Sequence, residues 1–114
     1  MTKPALDLSD EHWLIVKNIL ATYLANEEIW AFGSRARFTA KPFSDLDLVV
    51  LNNEPLETRT CAQLAEAFAE SDLPWKVDLV QWRDLCPEFQ QRIKEHRVVV
   101  HKPCHTQAYC RGGL

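Results

Sequence analysis

Residues 33–51 read GSRARFTAKPFSDLDLVVL, and the reading of the whole chain turns on them. Leu46 to Leu51 is a run of branched aliphatic residues interrupted only by Asp47, which is the composition of a buried strand. Asn52, Asn53 and Pro55 end it. On the other side, Gly33-Ser34 stands where the strand Glu28 to Phe32 gives way to a short helical turn, SRARFTA, which Lys41-Pro42 must break. Gly33 is the only glycine outside the Gly112-Gly113 pair near the chain end, so the body needs it for a backbone reason. A glycine lets the main chain approach a ligand closely, and the first N–H groups of a helix can meet a phosphate. Ser34 adds a hydroxyl, and Arg35, Arg37 and Lys41 gather positive charge behind it. Taken alone, Gly-Ser at a strand end is also an ordinary turn.

Two aspartates frame the start of the strand. Side chains alternate along a strand, so Asp45 and Asp47 share a face roughly 6–7 Å apart. Like charges so placed raise one another's cost of ionisation, and a hard, oxygen-preferring cation such as Mg²⁺ relieves it. A solvated strand end also carries such a pair. Further along, Lys76 to Trp82 (KVDLVQW) reads as another strand, with Asp78 between two aliphatic residues. Buried there, a carboxylate requires either a structural Arg or Lys or a metal shared with Asp45 and Asp47.

The remaining elements follow from periodicity and punctuation. Asp10 to about Leu24 has an amphipathic stripe of Trp13, Val16, Leu20 and Leu24, widened by Ile15 and Ile19, after a Ser9 or Asp10 cap. Thr58 to Glu70 is a second helix, with Leu64, Ala65, Phe68 and Ala69 on its apolar side. Pro87 opens a last helix that reaches about Glu95, and Val98 to Val100 forms a final strand. The order is helix, strand, short helix, strand, helix, strand, helix, strand. It predicts an α+β fold in which a small mixed sheet carries its helices mainly on one face. Residues 1–101 form one domain, and 102–114 a tail expected to be disordered.

Composition limits the function classes. The chain has 114 residues, 46% hydrophobic and 25% charged, with a net charge of −3. That is one domain's worth of chain. The charge argues against a protein held to nucleic acid by bulk positive charge. No apolar run approaches the ~20 residues of a membrane span. The N-terminus lacks an apolar signal core, so a cytoplasmic location is expected and Cys61, Cys86, Cys104 and Cys110 read as thiols. Cys61 and Cys86 read as small core residues. His101, Cys104, His105 and Cys110 do not have the spacing of a zinc knuckle. His12 and His96 have no evident chemical partner, and Arg92 to Arg97 reads as a solvated helix end. The four tryptophans read as packing residues, with Trp75 placed where it could also line a ligand site.

The three elements together, a phosphate turn, paired carboxylates and a third carboxylate on another strand, are the equipment of metal-assisted nucleotidyl transfer. Gly33-Ser34, ten residues, then Asp45-Leu46-Asp47 resembles the G-S-x(10)-D-x-D signature of the DNA polymerase β-like nucleotidyltransferases. The stretch GSRARFTAKPFSDLDLVV is similar to their minimal nucleotidyltransferase branch, and the likeness runs from about Leu14 to about His101. The resemblance implies a nucleotidyltransferase fold and transfer of a nucleoside monophosphate, AMP from ATP, to a hydroxyl. By it, Gly33 and Ser34 hold the triphosphate, and Asp45, Asp47 and Asp78 are catalytic and bind two Mg²⁺ ions. Arg35 and Arg37, in the variable stretch, are further phosphate candidates. It also implies a helical HEPN-domain toxin as partner, with this chain as antitoxin; the alternative is a silent nucleotide-binding antitoxin that acts by contact. Nucleic acid is a disfavoured partner, and oligomeric state is left open. One departure is Phe38, where the family often has glycine. Phe38 and Phe43 are expected to pack under the turn or to stack on a base.

Overall fold

The computed structural model describes residues 4–103. The expected tail, including Cys104, His105 and Cys110, lies outside them apart from Lys102 and Pro103. Four strands form one mixed sheet: β1 (Glu28–Phe32), β2 (Leu46–Leu51), β3 (Val77–Gln81) and β4 (Val98–His101). Their order is β3-β2-β1-β4. β1 runs antiparallel to β2 and β4, and β2 runs parallel to β3. The crossover from β2 to β3 is helix α3 (Thr58–Ala69), as a parallel pair requires.

Helix α1 (Asp10–Tyr23) begins where Ser9 accepts a hydrogen bond from the His12 N–H, with Asp10 and Glu11 in its first turn. Both features favour the start of a helix. Trp13, Val16 and Leu20 are buried on its inner side, and the Leu24 N–H closes the last turn on the Leu20 carbonyl. α1 and α3 lie together over one face of the sheet. There Leu64 and Phe68 of α3 join Ile29, Ala31, Leu46, Leu48 and Val50 in a single core. Alternation along β2 accounts for this: Leu46, Leu48 and Val50 point into the core, so Asp47 and Val49 point to the opposite face.

The opposite face is covered only in part. Helix α4 (Pro87–Glu95) follows a 3₁₀ turn at Trp82–Asp84, has Pro in its first turn as expected, and buries Ile93. Phe89 meets Phe32 edge to face at 5.8 Å, and Trp82 meets Trp30 at 5.5 Å. Two of the three long helices thus share one face, and α4 fills part of the other. Cys86 is an exposed residue just before α4, not a core residue, because Pro87 starts the helix after it. No helix of the described residues is long and apolar enough to cross a membrane.

A one-turn helix, α2 (Ser34–Arg37), follows β1 directly. Its Arg35 is 5% exposed, and its guanidinium is spent on main-chain carbonyls. Nε donates to Ser44 (3.0 Å), Nη1 to Asp7 (2.6 Å), and Nη2 to Pro42 (3.1 Å). The guanidinium carbon lies 4.4 Å from the centre of the Trp75 ring. Arg35 therefore joins the segment before α1, the loop before β2 and the loop before β3.

Lysine has one donor group where arginine has a planar fork. Arg35→Lys is expected to lower unfolding free energy by about 3 kcal/mol, because buried carbonyls lose charge-assisted bonds. Denaturant unfolding at equal m-value checks this.

Candidate active site

Gly33 sits at the exit of β1 with φ +79°, a left-handed conformation in which glycine alone is unstrained. A Cβ built there would run into Oδ2 of Asp47. The single body glycine thus answers to two constraints: the turn into α2, and the close approach of the main chain to a carboxylate. Ala36 and Arg37 N–H groups both bond to the Gly33 carbonyl at 3.1 Å, which fixes the turn. Ser34 follows, half-buried, at the first position of α2.

The three aspartates come from neighbouring elements. Asp45 is exposed one residue before β2, and Asp47 is half-buried within it. The parallel register sets Asp47 beside Asp78, on the same face. Burial, and then the negative charges of Asp78 and Asp45, hold the Asp47 carboxyl above its ordinary range. Gly33, Asp47 and Asp78 therefore lie at one end of the sheet face away from α1 and α3, with Ser34 following Gly33 and Asp45 just before β2.

Asp78 departs from one expectation. It is exposed, because β3 is the edge strand, so it needs no buried counter-charge. Among the described residues it makes no ion pair, which leaves the structural salt-bridge alternative without support.

Arg35 is a correction. The sequence makes it a phosphate candidate, but its guanidinium turns inward onto the carbonyls of Asp7, Pro42 and Ser44. Burial lowers its pKa and the charges of Asp7 and Asp45 oppose that shift. Arg37, two residues on and exposed, remains on the outer side of the turn. Phe38 and Phe43 are also corrected: at 58% and 75% exposed they do not pack under the loop, because Arg35 occupies that space. Phe38 adopts φ +60°, the left-handed conformation that favours glycine. Trp75 is buried against Arg35 and, edge to face at 5.6 Å, against His12, and it also lines a cavity of about 470 Å³ with Asp78.

Two residues that sequence reasoning set aside stand near the site. Arg92 and His96 of the α4 end line a cavity of about 190 Å³ together with Gly33 and Arg37. The signal was available in the spacing 89, 92, 93, 96, which places Phe89, Arg92, Ile93 and His96 along one side of a helix.

Mg²⁺ takes one or two carboxylates and completes its shell with phosphate and water. Among the described residues, no three acidic, His or Cys side chains are gathered to hold a metal unaided. Burial first, and then the charges of Asp78 and Asp45, raise the Asp47 pKa; a divalent cation would relieve the charge part, and the all-oxygen donor set suits Mg²⁺. The residues fit an ion that arrives with its nucleotide.

Gly33→Ala is expected to cost about 1–2 kcal/mol from the backbone alone and to displace Asp47, as read by denaturant unfolding. Asp47→Asn should do the opposite. Its folded-state pKa lies above the ordinary value of 3.8, so the folded protein holds this proton more tightly than the unfolded chain. The resulting penalty on stability is complete above the raised value and absent below 3.8. In EDTA, Asp47→Asn is expected to melt higher than wild type near neutral pH, and the difference should vanish as the pH falls below 3.8.

Comparisons with known proteins bear on the family and the fold. The chain is 43% identical over 97 residues to the probable protein adenylyltransferase MntA of Haemophilus influenzae, covering 85% of each chain. A crystal structure of a toxin–antitoxin with AMP-PNP superposes with a TM-score of 0.65 at 25% identity, over 88% of this chain and 79% of that one. A structure of a tri-AMPylated Shewanella oneidensis HEPN toxin in complex with MNT antitoxin shares the fold, with a TM-score of 0.62 at 20% identity over 89% and 78%. The family model for polymerase beta, nucleotidyltransferase, matches residues 15–103, which include the Gly33-Ser34 turn and all three aspartates; the chain belongs to the polymerase β nucleotidyltransferase family.

Proposed function

We propose that this chain transfers AMP from ATP to a hydroxyl on a small helical toxin of the HEPN type, and so acts in the cytoplasm as its antitoxin. The observation that carries the reading is the Gly33 turn pressed against Asp47, with Asp78 beside it on the next strand. The 43% identity to a protein named as a probable protein adenylyltransferase supports AMP as the transferred group. The likeness at 25% identity to a toxin–antitoxin structure with AMP-PNP supports both nucleotide and partner.

The residues divide the work by position. The free N–H groups at the start of α2 and the Ser34 hydroxyl bind phosphate oxygens. Gly33 lets those oxygens come close to the main chain. Asp45, Asp47 and Asp78 would hold Mg²⁺, which supplies positive charge against the phosphates and lowers the pKa of a bound hydroxyl. Asp78, exposed at the sheet edge, is open to an acceptor from outside. Its carboxylate takes the acceptor's proton as the hydroxyl oxygen bonds to the α-phosphorus. The bond from that phosphorus to the bridging oxygen breaks, and pyrophosphate leaves.

The test is incubation with α-labelled ATP, Mg²⁺ and the helical protein encoded in the adjacent reading frame. Label should appear on that partner, and Asp47→Ala should reduce the rate by about 100-fold or more, the scale of lost metal stabilisation. Full neutralisation of the partner by a doubly substituted Asp45→Ala/Asp47→Ala protein, with no label transferred by wild type, would replace this reading with contact inhibition.

A further inference from the structure

The loop between α2 and β2 carries the two most exposed large apolar side chains among the described residues, Phe43 at 75% and Phe38 at 58%. Packing does not account for either ring, because Arg35 fills the space beneath the loop. Phe38 also holds φ +60°, where any side chain carries strain that glycine would not.

Both rings sit on a fixed frame. The Phe38 and Thr39 N–H groups share the Ser34 carbonyl, the second at 2.9 Å. Lys41 to Ser44 is a β-turn with Phe43 as its third residue. The Ser44 N–H closes it on the Lys41 carbonyl (3.0 Å), and the Lys41 N–H donates to the Ser44 hydroxyl (2.8 Å). Arg35 then ties the Pro42 and Ser44 carbonyls to the body of the protein. Exposed rings that are already ordered lose little freedom on contact, which is the quality of an anchor at a protein interface.

The charge around them is of one sign. Arg37 and Lys41 are exposed, and neither makes a side-chain hydrogen bond or an ion pair among the described residues. Residues 37–44 contain no acidic side chain. The complementary surface is apolar at its centre and acidic at its edge. Aromatic rings with cations also suit single-stranded nucleic acid. Here, however, the exposed Asp45 follows Phe43 by two residues, with Asp47 and Asp78 beyond it, and these carboxylates repel a phosphate backbone. The loop enters β2 at the end of the sheet where β3 also begins, since the Leu46 N–H bonds to the Lys76 carbonyl. A protein seated on the rings therefore stands beside the carboxylates. We infer that Phe38 and Phe43, with Lys41 at their edge, form the docking surface for the acceptor protein, which meets them with an apolar helical face bordered by acidic residues. This rests on the transfer reaction proposed above and says where its acceptor binds.

Calorimetric titration of the full chain with the purified helical protein of the adjacent reading frame, and separately with ATP and Mg²⁺, tests the surface. Phe43→Ser and Phe38→Gly should each weaken the partner about 10-fold or more, the scale of an aromatic anchor, and leave ATP affinity unchanged. Lys41→Glu should weaken the partner too, and added salt should then weaken it less than in wild type. Phe43→Ser should melt as wild type does, and Phe38→Gly, free of strain, should melt no lower. With α-labelled ATP, both variants should raise the KM for the partner and keep kcat. Unchanged partner affinity in the doubly substituted Phe38→Gly/Phe43→Ser protein overturns the surface, as does no binding of the partner by wild type. An equal loss of ATP affinity would assign the rings to the nucleotide, and a labelled single-stranded RNA bound by wild type and lost in the double variant would assign them to nucleic acid; either overturns it. If the partner binds through the rings and receives no label, the reaction fails and the surface stands. If the double variant binds and labels the partner as wild type does, the surface fails and the reaction stands.

Discussion

The buried guanidinium of Arg35 is the constraint on which the site depends. It holds the carbonyls of Asp7, Pro42 and Ser44 and stacks on Trp75. Those residues precede α1, β2 and β3, and the latter two strands carry the aspartates. A buried cation usually takes a carboxylate as partner. Here main-chain carbonyls take that place, so the cation is satisfied without neutralising Asp45, Asp47 or Asp78. Several charge-assisted bonds of about 1.5–3 kcal/mol each offset the desolvation. Burial, and then the unneutralised charges of Asp78 and Asp45, raise the pKa of Asp47.

The sheet divides the labour between its faces. Leu46, Leu48 and Val50 build the core with α1 and α3, while Asp47 emerges on the other side with Asp78 as its neighbour. A one-residue slip of β2 would bury the carboxylate and expose the leucines, so the hydrophobic pattern also sets the register of the chemistry. Gly33 is tied into the same geometry, because the antiparallel pairing of Phe32 with Asp47 brings the start of α2 against the carboxylate. Core and site are consequently not separable: the strand that packs leucines into one face presents the Asp47 carboxylate on the other.

Opposite charges lie close to Gly33. Asp47 and Asp78 are neighbours in the sheet, and Arg37, Arg92 and His96 line a cavity with Gly33.

Local periodicity alone determined a good deal. The strand at Leu46, the helix at Asp10, the start at Pro87 and the spacing from Gly33-Ser34 to Asp45 and Asp47 are written along the chain, because alternation, capping and motif spacing act over a few residues. Whether a side chain turns inward or outward is decided by what fills the space across from it. That is why Arg35, adjacent to the Gly33 turn, is a clamp, and why Phe38 and Phe43, apolar by type, stand exposed. Asp78 read as a buried carboxylate from its aliphatic neighbours, yet it is exposed, because only the strand order shows β3 to be an edge. Arg92 read as a solvated helix end, and only the packing of α4 across the second face sets it beside Gly33. Sequence determined the elements and the spacing of the candidate carboxylates; tertiary structure decided which charges are satisfied within the protein and which are not, since that depends on contacts between residues far apart in the chain.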